Sequence, residues 1–234
     1  MAVENHAGMS SWPNSPDELM AVQRDLASLR PDPWVPPRDE IVLAGCFVCF
    51  EPGPGLGAGG ERAWAAASIV RPGRGSVDAS VEGRALAPYQ AGLLALREGP
   101  LLEAAVRALP ERPQVVLVNA SGRDHPRKAG LALHLGAVLD LPSVGVTDRT
   151  LAAEGPPPEM AAWSTAPLLL EGEVVGAWLR TRERVRPVAV HPAWRTDVRV
   201  AIEVVRRAPG RTRTPGPIRL ARQAARRARS SAFG

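Results

Sequence analysis

Residues 115–136, VVLVNASGRDHPRKAGLALHLG, decide the fold. They open with Val115, Val116, Leu117 and Val118, an uninterrupted apolar run whose β-branched content suits a strand buried on both faces. A turn follows over Asn119, Ala120, Ser121 and Gly122, then the basic loop His125-Pro126-Arg127-Lys128, then a small-residue helix starting near Ala129. In an open α/β sheet, ligands gather where the carboxyl end of a strand hands over to the next element. Asn119 stands at that hand-over with His125, Arg127 and Lys128 just after it, so this stretch is also the expected functional centre.

Working outward, residues 1–16 are polar and contain Pro13 and Pro16, which predicts a disordered tail. Asp17 is placed to cap a helix reaching about Leu29, with Leu19, Val22, Leu26 and Leu29 on one face. Pro31, Pro33, Pro36 and Pro37 end it and form a stiff connector. Residues 41–50 read as a central strand, the glycines from Gly53 to Gly60 as a hairpin turn, and residues 63–70 as the returning strand. After a turn over residues 71–75 comes a weaker strand at 76–86, then a helix at about 92–109. Beyond the central stretch the pattern predicts a short strand at 143–146, an Ala/Pro-rich loop at 152–162 and a hairpin of residues 167–170 and 174–179. A last strand at 185–190, a helix at 197–207 and a terminal helix at 219–229 complete the chain. The expected division is a tail at 1–16, one domain at 17–220 and a basic C-terminal tail or helix at 221–234.

Composition excludes several classes. At 234 residues the chain has room for a real core, and no apolar run is long enough to span a membrane. The polar N-terminus does not read as a secretory leader, and the expected location is the cytoplasm. Cys46 and Cys49 lie in one predicted strand and point to opposite faces, which suits two core thiols in a reducing compartment better than a disulfide or a zinc pair. The net charge of +5 is unevenly spread, because the nine arginines from Arg206 onward meet no Asp or Glu. That asymmetry points to a polyanionic partner.

The pattern Gly122-x-x-His125-Pro126-Arg127-Lys128-x-Gly130-x-Ala132-x-His134-x-Gly136 resembles the signature of endonuclease V, which nicks DNA or RNA near inosine. Asp140-Leu141-Pro142-Ser143-Val144-Gly145-Val146 resembles the same family's "D-L-P-T-I-G-V" segment, and further matches run in order from about Ala44 to Arg219. The resemblance implies an α/β, ribonuclease H-like core with a mixed central sheet flanked by helices. It also implies divalent metal chemistry, with Mg2+ as the cofactor of an active member.

The catalytic positions implied by the resemblance are altered. The aspartate of the family's "A-G-x-D" pattern falls on Phe47 in Ala44-Gly45-Cys46-Phe47, and the aspartate before the motif falls on Asn119. A lysine becomes Asp148 and the histidine of "G-H-R" becomes Trp194, while the glutamate of "R-E-x-P" survives as Glu98. Phenylalanine has no lone pair to offer a hard cation, and an asparagine carries no charge to offset its dehydration. Glu98 alone therefore implies a weak metal site or none, and no cofactor is expected. A relocated site built from Glu98, Asp124, Asp148 and Asp197 is the competing arrangement, as is an ion pair of Asp148 with Arg127 or Lys128.

The recognition residues are better kept. The family's "P-Y-I-P" wedge reads Pro88-Tyr89-Gln90-Ala91, which retains the aromatic that stacks on a base. The resemblance places the extruded base among Leu94, Gly122, His125 and Gly145, with Arg127, Lys128 and Arg219 facing phosphates. Arg222, Arg226 and Arg229 recur at helical spacing and add one basic face. The expected protein is a monomer that binds inosine-containing DNA or RNA with catalysis impaired. An active metal-dependent endonuclease and a protein-interaction scaffold without nucleic-acid affinity are the rivals.

Overall fold

The computed structural model describes residues 12–71, 75–210 and 212–234. The chain runs α1 (Pro16–Ser28), β1 (Leu43–Phe50), β2 (Arg62–Arg71), β3 (Gly75–Arg84), α2 (Leu94–Arg107), β4 (Val115–Val118) and α3 (Leu131–Leu139). It continues through β5 (Ser143–Thr147), β6 (Thr165–Leu170), β7 (Glu173–Leu179), β8 (Val188–Pro192), α4 (Val198–Arg207) and α5 (Gly216–Ser231). The strands form one mixed sheet in the order β3-β2-β1-β4-β5-β8-β7-β6. β1, β4 and β5 are parallel neighbours, and every other pairing is antiparallel.

β4 lies at the centre with all four side chains buried, as its uninterrupted apolar run requires. Val116 and Val118 pack with α1, α2 and α3 on one face, and Val115 and Leu117 pack with α4 and the start of α5 on the other. β1 and β2 are rich in small residues, which lets helices approach closely. A Cβ at Gly45 would lie 2.3 Å from Ile218 N and Pro217 C at the start of α5. Cys46 and Cys49 are both buried and reduced, and they point to opposite faces of β1 as expected.

Several expected boundaries move. The cap of α1 is the Ser15 hydroxyl, which accepts from Glu18 N, and Asp17 lies inside the first turn. Val22 and Leu29 pack on the core beside Leu19 and Leu26 as expected, and Gln23 joins the buried stripe of α1. Asp197 caps α4 by accepting from Val200 N at 2.6 Å. β8 starts only after Pro187, because a proline has no N–H for the ladder. Residues 1–11 of the expected tail lie outside the described residues, whereas Trp12 packs against Gly99 and stacks on His134 at 4.3 Å. The division expected at 220/221 falls within α5, which is one continuous helix.

Candidate functional site

The carboxyl ends of β4 and β5, the start of α2 and the side of α1 enclose a cleft of ≈ 200 Å³. Asn119, directly after β4, opens onto it beside Ala120 and Ser121, and Thr147 and Arg149 close the β5 side. Tyr89 stands at the rim with 65% of its surface exposed, while Leu94 and His125 line the wall. Four of the residues expected to act together from their sequence positions (Tyr89, Leu94, Asn119 and His125) therefore share this cleft.

His125 is held from both sides. Its Nδ1 accepts from Arg127 N at 3.1 Å, so Nε2 carries the proton and donates to Gly92 O at 3.1 Å. Burial, reinforced by the nearby Arg127 guanidinium, lowers its pKa to about 4 and keeps the ring neutral. Gln23 extends the same network from α1, accepting from Arg127 Nε at 2.5 Å and donating to Gly92 O at 3.1 Å. Sequence reasoning missed Gln23. The available signal was a polar side chain between Leu19 and Leu26 on an otherwise apolar stripe.

Other expected binding residues serve the fold. Arg127 Nη2 donates to Gly92 O at 2.8 Å, which turns the side chain toward the loop it braces. Lys128 adopts φ 52° and bridges Glu173 at 3.0 Å and Glu171 at 3.1 Å. Both cations thus have partners within the protein. Gly122 and Gly145 are glycines because backbone crowds them: added Cβ atoms would lie 2.3 Å from Pro192 O and 2.2 Å from Ala120 O. Neither lines the cleft. Arg219 sits on α5 and does not line the cleft.

The positions that the resemblance marks as catalytic are also placed. Cys46 pairs in register with Val118, the last residue of β4, so Phe47 stands level with Asn119 at the carboxyl end of β4. Phe47 faces α5, where the Arg222 guanidinium lies 4.8 Å from its ring centroid. Glu98 approaches from α2 on the opposite face; burial raises its pKa to about 7, with Arg97 lowering it slightly. Cys46 feels that carboxylate, and burial together with Glu98 pushes its thiol up. Trp194 packs beside Gly136 of α3, away from the cleft, with its indole N–H buried and unpartnered.

The relocated carboxylate cluster does not assemble. Asp124 is fully buried and accepts from Leu151 N at 2.8 Å and from Ala152 N and Ala153 N at 2.7 Å each, clamping the loop after β5. Asp148 pairs with Arg213 at 2.7 Å rather than with Arg127 or Lys128, and Asp197 is spent on its cap. Among the described residues, no three His, Cys, Asp or Glu side chains converge as a metal site. The Mg2+ implied by the resemblance does not fit this donor set. A phenyl ring under a guanidinium occupies one ligand position, and Glu98 stands alone at another.

The chain matches the family model described as Endonuclease V over residues 58–223. Endonuclease V of Gloeobacter violaceus is 38% identical over 224 residues, covering 93% of this chain and 88% of that relative. Endonuclease V of Thermus thermophilus is 45% identical over 146 residues, and that match spans 62% of this chain and 65% of the relative. The crystal structure of endonuclease V from Streptomyces avermitilis superposes with a TM-score of 0.84 at 32% identity, covering 96% of this chain and 97% of that one. The mixed sheet with its two helical layers is accordingly the ribonuclease H-like α/β fold. Sequence and architecture agree along nearly the whole chain, which belongs to the endonuclease V family.

Proposed function

We propose that this protein binds inosine-containing DNA or RNA and is impaired in phosphodiester cleavage. The observation that carries the reading is an asymmetry at the carboxyl end of the central strands. The cleft retains its aromatic rim and its polar wall, while the metal positions beside it hold Phe47, Asn119 and a single carboxylate, Glu98. Endonuclease V of Ciona intestinalis, at 20% identity and a TM-score of 0.73, has been crystallised with a 24mer DNA containing an inosine followed by a ribo-adenosine. That complex supports nucleic acid as the partner class for the shared fold.

Tyr89 projects from the rim and offers a face on which a base stacks, a contact worth about 1–3 kcal/mol per base. Asn119, Ser121 and Thr150 bring donors and acceptors for a base edge. Cleavage in this family depends on a metal that neutralises charge on the attacked phosphate, and the donors present do not suit one. The retained Glu98 is what favours the active reading.

The test combines binding and turnover. Purified protein is incubated with inosine-containing and matched control strands, as DNA and as RNA, with Mg2+ and with Mn2+. The expected result is a gel shift without product. Tyr89→Ala weakens binding to the inosine strands by about 1–3 kcal/mol and leaves the matched duplex less affected. Multiple-turnover cleavage with either metal overturns the impairment. Absence of binding to any strand hands the protein to the scaffold reading.

A further inference from the structure

The arginines of α5 are unusually placed for a surface helix. α5 runs alongside β1: Pro217 and Ile218 press on Gly45, Arg222 lies over Phe47, and Arg229 Nη1 donates to Phe50 O at 3.2 Å. Arg219 and Arg222 are one turn apart and share a helix face, and Phe47, which lies under Arg222, stands level with Asn119. The Nε atoms of both are buried without a hydrogen-bond partner. Among the described residues neither forms an ion pair, although their neighbour Arg227 holds Asp78 at 2.8 Å. Arg226 continues the row, exposed and likewise without a carboxylate partner among the described residues.

We propose that Arg219 and Arg222 form a phosphodiester-binding site over β1, where fixed guanidinium charge meets the nucleic-acid backbone without a divalent cation. The proposal rests on the nucleic-acid reading above and deepens it. Planar guanidinium groups match phosphate oxygens in a bidentate manner, and unlike a bound cation they need no carboxylate cage. Phe47 has a positive part in the arrangement. Its ring supports Arg222 through a cation–π contact and leaves the guanidinium edge free to donate. A strand whose base enters the cleft beside Asn119 then passes its backbone over Phe47 and along α5. Asn119 belongs to the cleft and also stands level with Phe47, which joins the two surfaces.

The experiment is a salt titration of binding to a labelled single-stranded oligonucleotide carrying one inosine. It is run in EDTA and in Mg2+ at matched ionic strength, with thermal melts of every variant. Arg219→Gln and Arg222→Gln are each expected to reduce the log–log salt slope by about 0.7 and the affinity at moderate salt about three- to tenfold. Arg222→Lys keeps the slope. Arg71→Gln, the same charge change at a residue paired with Glu111 on β2, leaves the slope unchanged. Wild-type affinity is no weaker in EDTA than in Mg2+. If the wild-type chain binds and neither glutamine variant alters the slope, the two arginines only pack on the sheet, and this inference falls while the binding reading stands. Binding that requires Mg2+ overturns it as well. If the wild-type chain binds no oligonucleotide, both readings fall together.

Discussion

Phe47 and Arg222 act as a pair against a divalent cation at position 47. The guanidinium lies 4.8 Å from the ring centroid, so a carboxylate introduced at position 47 meets a cation already in place. A charge-assisted hydrogen bond to Arg222 then competes with any divalent ion for that carboxylate. Phe47→Asp combined with Asn119→Asp is therefore expected to restore neither tight Mn2+ binding nor turnover, although it returns two family aspartates. Adding Arg222→Ala frees the carboxylate and should produce the first measurable heat in a calorimetric Mn2+ titration. Tight Mn2+ binding by the double variant would refute this account of the pair. At the residue scale the resemblance implied which positions differ from the family's pattern, because each lies inside a short local motif. It did not reveal their new partners. Asp148 finds Arg213, Asp124 finds three amides of the next loop, and Arg127 finds Gln23, all through contacts distant in the chain. Local spacing carries no information about such pairings.

Elements were legible in proportion to how strongly local chemistry dictates them. β4 coincides with its apolar run, and the helix expected at about 92–109 forms over 94–107 with Pro100 inside it. The start of α5 was less clear, since the helix was expected only from residue 219, beyond the prolines at 215 and 217. They sit instead at the N-cap and in the first turn, where a missing N–H costs nothing. The contact between α5 and β1 was not legible at all, because Gly45 reads merely as part of a family motif. Its role is close approach: a methyl group there would overlap Pro217 and Ile218 backbone at 2.3 Å, and backbone cannot rotate aside. Gly45→Ala should cost about 1–3 kcal/mol by overpacking and displace the first turn of α5. Because Arg219 and Arg222 ride on that turn and the next, the salt slope of binding should fall in the same variant. Gly55→Ala, with open space around the added methyl, should change stability by less than about 0.5 kcal/mol. Equal melting temperatures for the two variants would show that the helix does not depend on this approach.

Across the whole molecule, buried ionisable groups pull stability in opposite directions with pH. His125 and His134 are 2% and 0% exposed, and burial lowers both pKa values to about 4. In the unfolded chain they take up protons near pH 6.5, so between about 6.5 and 4 the unfolded state binds more protons and acid destabilises the fold. Each histidine contributes at most about 3 kcal/mol to that loss. Glu98 works the other way. Its pKa, raised by burial to about 7, means that the folded state takes up the proton first as pH falls from about 7 to 4.5. The folded protein gains about 1–3 kcal/mol over that interval, which offsets part of the histidine loss. Urea unfolding of the wild-type protein should thus show a moderate decline from pH 7 to pH 4. Glu98→Gln removes the opposing contribution, so the variant should be about 1–3 kcal/mol more stable than wild type at pH 8 and should fall more steeply toward pH 4, where the two converge. A variant that is less stable at pH 8 would mean that the Glu98 carboxylate is held by favourable charge rather than stranded by burial. That outcome would reopen a cation site at the end of β1.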